Sequence, residues 1–192
     1  MRITMLTPSL DTRGGAERKM LKIAQRFDAR IITLAYDEEK TYQGFSDIDV
    51  VVPRTDAVGK ILKNDFLKPL ESARFFLSLK LEDFDIVNSH VEPSEFARCR
   101  NSPMIWYCYT PYRFAYDRHD WKMRRSGALR KALLAGWAGT YRAIESTVVP
   151  KIEHIFTNSV NVQGRIRRYL KRDSEVLYSG VDSDKRTCRG HE

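Results

Sequence analysis

The chain has 192 residues, 42% of them hydrophobic and 30% charged, and carries a formal net charge of +8. That length suits one domain with a full core, and no run of about 18 apolar residues offers a membrane-spanning helix. The three cysteines, Cys99, Cys108 and Cys188, are odd in number and widely spaced. This argues against a disulfide framework or a zinc site and fits a reducing compartment. The chain also enters an apolar strand at once, without a signal-peptide pattern, so a cytoplasmic location is expected.

Ile3 to Leu6 reads as a short buried strand that Pro8 should end. Gly14-Gly15 follows, at the start of a helix whose apolar positions are Ala16, Met20, Ile23, Ala24 and Phe27. Strand, glycine turn and helix together aim backbone N–H groups and a positive dipole end at the space above the strand, where a phosphate fits. The glycine pair is neither G-x-G-x-x-G nor a P-loop.

Arg30 to Ala35 is a second strand and Asp49 to Val52 a third. Phe66, Leu70, Ala73 and Leu77 mark the core-facing stripe of a helix over residues 66–81. Phe84 to Val87 is a fourth strand, ending in Asn88-Ser89-His90, with a short helix over Pro93 to Arg98. Pro103 to Cys108 is a fifth, running into Tyr109-Thr110-Pro111 and a loop to Asp120. Leu129, Leu133, Trp137, Tyr141 and Ile144 mark one face of a long helix. His154 to Thr157, a helix over Val162 to Leu170 and a strand from Glu175 to Tyr178 complete the pattern. Residues 1–182 read as one domain and residues 183–192 as a polar tail or the start of a linker. Alternating strands and helices predict an α/β fold, a parallel sheet of about seven strands with helices on both faces. Its ligands belong beyond the C-terminal strand ends, where Gly14, Gly15, His90, Tyr109 and Thr110 fall.

Charge is uneven. Between Trp121 and Arg172 there are 12 Lys/Arg against only Glu145 and Glu153, which points to an anionic partner.

Taken in order, Gly14-Gly15-Ala16-Glu17-Arg18, Asp85 to His90, Tyr107-Cys-Tyr-Thr-Pro-Tyr-Arg113 with Tyr116-Asp117, Thr157-Asn158-Ser159, Arg165 to Arg168 and Val176 to Asp182 resemble the N-terminal domain of glycosyltransferase family 4. These are retaining enzymes of GT-B fold, with two Rossmann-like domains. The resemblance implies that Gly14 and Gly15 face the diphosphate of a nucleotide-sugar donor. It places His90 in the cleft near the acceptor, and Tyr109, Thr110 and Arg113 toward the sugar or acceptor. Arg113 could equally pair with Asp117. The catalytic residue is left unassigned, and the family implies no metal or other cofactor. The acceptor would be a glycan or a lipid-linked sugar. The basic, aromatic stretch Trp121–Arg142 would suit peripheral contact with the inner face of the membrane.

Two departures stand out. Tyr109 occupies the position where the family usually has a histidine before Thr-Pro, and a phenol does not shuttle protons near neutral pH. The donor-binding second domain has no counterpart, which implies a fragment, the product of a truncated gene, or one subunit whose partner supplies the donor domain, and no sugar transfer by the chain alone. Two other readings stay open. One is a basic module binding nucleic acid or an anionic membrane through the Arg165–Arg172 helix, although no nucleic-acid motif accompanies it and nucleic acid is not the expected partner. The other is a nicotinamide-dependent oxidoreductase, which lacks the glycine fingerprint and has only Asp37 near the end of the second strand.

Overall fold

The computed structural model describes residues 1–53 and 68–180. Within them lies a seven-stranded, wholly parallel sheet of order β3-β2-β1-β4-β5-β6-β7. The strands are β1 (Ile3–Leu10), β2 (Arg30–Tyr36), β3 (Val50–Val51), β4 (Ile86–Ser89), β5 (Met104–Cys108), β6 (His154–Thr157) and β7 (Glu175–Val176). The helices are α1 (Gly15–Phe27), α2 (Lys68–Ser78), α3 (His119–Arg124), α4 (Ala128–Val148) and α5 (Val160–Leu170). Short 3-10 turns fill Gln43–Asp47, Ser94–Cys99 and Val149–Lys151. The predicted α/β architecture is therefore what the chain adopts.

Successive strand residues face opposite sides, and each side has its own core. Ile3, Met5 and Ile31 pack with Met20 and Ala24 of α1 and with Phe45. Leu6, Val87, Met104, Trp106 and Ile155 pack on the other side with residues of α2, α4 and α5. Burial on both faces is what makes the strands read as nearly continuous apolar runs.

Helix ends follow local chemistry. Asp28 adopts the left-handed conformation (φ 51°) that closes α1. At α5 the Ser159 hydroxyl accepts from the Val162 N–H at 3.3 Å.

Several expectations need correcting. Pro8 does not end β1. Pairing with β4 stops at Leu6–Ser89, while pairing with β2 continues through Ser9–Ala35 and Leu10–Tyr36. Beyond Leu6 the strand is paired on one side only, and such an edge tolerates a residue without an N–H. The buried stripe of α4 is Leu134, Ala138, Tyr141, Glu145 and Val148, not one that starts at Leu129. Leu129 and Leu133 are 78% and 53% exposed. On α2 the buried residues are Ser72, Ala73 and Phe76, and Leu70 faces out. The predicted Phe66 start of that helix, Val181-Asp182 and the 183–192 tail lie outside the described residues.

Candidate functional site

Because the sheet is parallel, the chain leaves β1, β4, β5, β6 and β7 at one edge. The singled-out residues are brought together there, in different roles.

Gly14 caps α1 in an extended conformation, and its side-chain-free face is covered by Glu17. A Cβ on Gly14 would meet Glu17 Oε2 at 2.4 Å, the mobile end of a side chain. The Glu17 carboxylate also accepts from the Thr12 hydroxyl at 3.1 Å. A negative group thus sits at the helix N-terminus, where the dipole favours one. Gly15 differs. A Cβ there would meet nothing within 4 Å, and no glycine among the described residues has positive φ. Neither packing nor backbone conformation requires glycine at position 15.

Tyr109 and His90 form a buried pair beneath this turn. The Tyr109 hydroxyl lies 3.1 Å from His90 Nδ1 and donates to the Ala16 carbonyl at 3.4 Å. His90 is fully buried, its ring stacked on Tyr107 at 6.0 Å. The rings of Tyr107 and Tyr109 flank His90, which lies beneath the surface at the end of β4. Burial, with Lys19 nearby, lowers its pKa to about 3, so the ring is neutral at physiological pH. Burial pushes the Tyr109 phenol far above its ordinary range, assisted by Tyr107 and Glu17. Neither group of the pair exchanges protons near neutrality. Tyr109 fastens β5 to α1.

Thr110 is half-buried, and its hydroxyl makes a 3.4 Å contact with the Pro111 carbonyl. Arg113 is exposed and pairs with Asp117 at 2.9 Å, the alternative the sequence offered. Asp117 also takes an ion pair from Arg165 at 3.0 Å. Both cations, with desolvation opposing them, leave the Asp117 carboxyl below its usual range.

One residue escaped the sequence reading. Lys19, one turn into α1, donates to the Tyr107 hydroxyl and stands 3.7 Å over that ring. The Tyr107 hydroxyl in turn donates to the Leu177 carbonyl at 2.6 Å. Lys19 has no carboxylate partner among the described residues, and burial lowers its pKa to about 8. It borders a groove of about 690 Å³ between α1 and the chain beyond β7, with Gly15, Lys22, Tyr109, Asn158 and Ser179 along its walls. Among the described residues, no Asp or Glu lines that groove. The signal was present in the sequence: Lys19 is four residues after Gly15 and so lies on the same helical face.

A smaller cleft of about 180 Å³ opens on the other side of β1, among Pro8, Lys68, Ser72, Glu92, Tyr112 and Tyr141. Desolvation raises the Glu92 carboxyl to about 7, and Arg165 acts against it.

The basic block resolves into two parts. On α5, Arg165 pairs with Asp117 and Arg167 with Asp173 at 2.9 Å. Arg172, just past the helix, donates to the carbonyls of Val149, Pro150 and Ile152. These cations brace the fold. Around α3 and the start of α4, Trp121, Leu129 and Leu133 are exposed beside Arg124, Arg125, Arg130 and Lys131, with Arg125 stacked on Trp121 at 4.3 Å. Among the described residues no helix is long and apolar enough to cross a membrane.

A family model described as Glycosyltransferase Family 4 matches residues 13–185. Among solved structures, the crystal structure of Anabaena Alr3699/HepE in complex with UDP and glucose superposes with a TM-score of 0.51 at 15% identity. The match takes in 95% of this chain and 45% of that one, so the chain spans less than half the length of this relative. At that identity the likeness concerns the fold. A search of curated proteins returned no match.

Proposed function

The chain belongs to glycosyltransferase family 4, and from that premise we propose that it is the acceptor-side half of a retaining enzyme, working with a donor-binding half to move a sugar from a nucleotide sugar to a glycan or lipid-linked acceptor. The observation that carries this reading is the α1 wall. Gly15 leaves backbone N–H groups approachable at a helix N-terminus, and Lys19, without a carboxylate partner among the described residues, adds an amine beside them. Such a wall is suited to a diphosphate that gains charge as the glycosidic bond breaks. Gly14 and Gly15 face that diphosphate in this reading, and Thr110 and Arg113 border the acceptor. Tyr109 and His90 support the wall from beneath. The nucleotide sugar is a substrate, and the reading calls for no metal.

The test is titration of the chain with a panel of nucleoside diphosphate sugars, alone and with candidate donor-half proteins encoded beside it. Sugar transfer restored by such a partner, and lost with Gly15→Val, supports the reading. Binding and transfer with neither arrangement contradict it.

The α3–α4 patch supports a second element, peripheral contact with an anionic membrane. Exposed Trp121, Leu129 and Leu133 among arginines match an interfacial surface. Vesicles containing phosphatidylglycerol should pull down the chain, and Leu129→Asp with Leu133→Asp should abolish it. Equal pull-down by the variant removes the membrane role.

A further inference from the structure

Three carboxyl groups meet beneath the Pro111–Asp120 loop. Glu95 stands on the 3-10 turn after β4, Glu92 just before it, and Glu145 on the buried stripe of α4. Glu95 and Glu145 are fully buried, and each keeps one oxygen, Oε2 of Glu95 and Oε1 of Glu145, without a partner among the described residues. Three ionised carboxylates cannot share so dry a space, and a protonated carboxyl needs no cation there.

Their other oxygens hold the loop and helix together. The Tyr116 hydroxyl donates to Glu145 Oε2, and the Tyr141 hydroxyl donates to Glu95 Oε1 at 3.0 Å. Arg142 donates to the Ala115 carbonyl at 2.6 Å and lies over the Tyr116 ring. Tyr116 also stacks on Tyr169 of α5, at 4.8 Å. Around the carboxyls stand Lys68 from α2, Cys108 from β5, Tyr112 and Tyr116 from the loop, Tyr141 and Arg142 from α4, and Arg165 from α5. Arg142 bonds a carbonyl and Arg165 pairs with Asp117, yet Arg142 still favours ionised Glu145 and Arg165 ionised Glu92.

We infer that the buried Glu95 and Glu145, with the half-buried Glu92 beside them, form a carboxylic-acid latch, with Glu145 as the positioning residue: the Pro111–Asp120 loop stays closed over the neutral carboxyls and opens when ionisation makes their burial too costly. Burial raises both Glu92 and Glu145 to about 7, and Glu95 well above its usual range. The transition therefore falls around neutrality. Loss of the Glu145 proton to solvent leaves a buried anion whose desolvation, with Glu92 nearby, outweighs the support that the Tyr116 hydroxyl and Arg142 give it, and opening the loop hydrates it. That this loop borders an acceptor rests on the glycosyltransferase reading. The latch itself does not.

The test uses hydrogen exchange on the whole chain, without sugar or nucleotide, so its failure and that of the glycosyltransferase reading are separate results. The amides to follow are Ala115, Arg118 and His119, bonded to the carbonyls of Tyr112, Arg113 and Tyr116. After correction for intrinsic rates, their protection should fall by about tenfold or more between about pH 5.5 and pH 8. In Glu145→Gln, a neutral mimic that still bonds Tyr116, the dependence should shrink severalfold and protection should stay high. Tyr116→Phe, which keeps the ring but cuts the link, should lower protection at every pH. Protection in the wild-type chain that does not change with pH overturns the latch. So does an undiminished dependence in Glu145→Gln or, should that variant not fold, unchanged protection in Tyr116→Phe.

Discussion

The two walls of the C-terminal strand edge are built on opposite principles. On the Pro111–Asp120 side, polar side chains hold one another, with Glu95 Oε2 and Glu145 Oε1 as exceptions. Arg113 and Arg165 share Asp117, Tyr116 and Tyr141 hold glutamates, and Arg142 holds a carbonyl. On the α1 side, a Cβ on Gly15 would meet nothing within 4 Å, and among the described residues Lys19 has a phenol, an aromatic face and the Leu177 carbonyl at 3.4 Å. A wall whose polar groups satisfy one another supplies rigidity. A wall that leaves a glycine and an amine without such partners has capacity for an anion. Substitutions on the first should therefore damage stability, and on the second, binding.

The largest expected effect is on the braced wall. Tyr141 is 1% exposed, and its ring packs against Phe96, Tyr112 and Trp137. Tyr141→Ala should cost about 3–5 kcal/mol in urea unfolding, because it opens a cavity and strips Glu95 of its donor. A cost below about 1 kcal/mol would show that this wall is not tightly built.

Next comes the pH dependence of stability. Glu92 and Glu145 have folded pKa values raised to about 7, and Glu95 moves the same way. Their stabilising contribution is full below the unfolded glutamate value and is lost as pH rises through about 7. His90, lowered to about 3, works oppositely: its contribution is full above the unfolded histidine value and is lost as pH falls. Three acids against one histidine give a net fall in stability from about pH 5 to pH 7, at roughly 1–3 kcal/mol per pH unit. Unfolding midpoints measured across that range in Glu145→Gln should fall less steeply.

Tyr116→Phe should cost about 1–2 kcal/mol, since it leaves Glu145 with no hydroxyl donor. The α1 wall should then show the contrast. Lys19→Met and Gly15→Val should change unfolding stability by no more than about 0.5 kcal/mol, the range for sites away from core features. Each should nonetheless weaken donor binding by roughly tenfold or more, read by titration of the complemented protein. If Gly15→Val unfolds the chain, the glycine serves the fold rather than a ligand.

The sheet was legible because a strand buried on both faces is written as an apolar run, as in Ile3–Leu6 and Met104–Cys108. What misled was context that one residue cannot carry. Pro8 reads as a strand end, but β1 outruns β4 there and has only β2 beside it. Leu129 and Leu133 look like core because they are spaced helically, yet both are exposed and the buried stripe of α4 starts at Leu134. At the site, Gly14, Gly15, Tyr109 and Thr110 were placed correctly at the strand ends. The burial of His90 was not visible, since it depends on Tyr107 and Tyr109 arriving from a strand that starts 14 residues later. The acid cluster was missed because glutamates are ordinarily solvated. A sign of it was present: Leu134, Ala138, Tyr141, Glu145 and Val148 trace one helical stripe, with a carboxyl in the middle of it.

The most direct test of the central claim is an amide NMR titration of the whole chain with a panel of nucleoside diphosphates at millimolar concentration, following Gly15, Ala16 and Glu17. The account predicts that these three amides shift together, that Lys19→Met weakens the response, and that Gly15→Val abolishes it. Unmoved amides at the α1 turn, with shifts appearing only elsewhere on the chain, would contradict it.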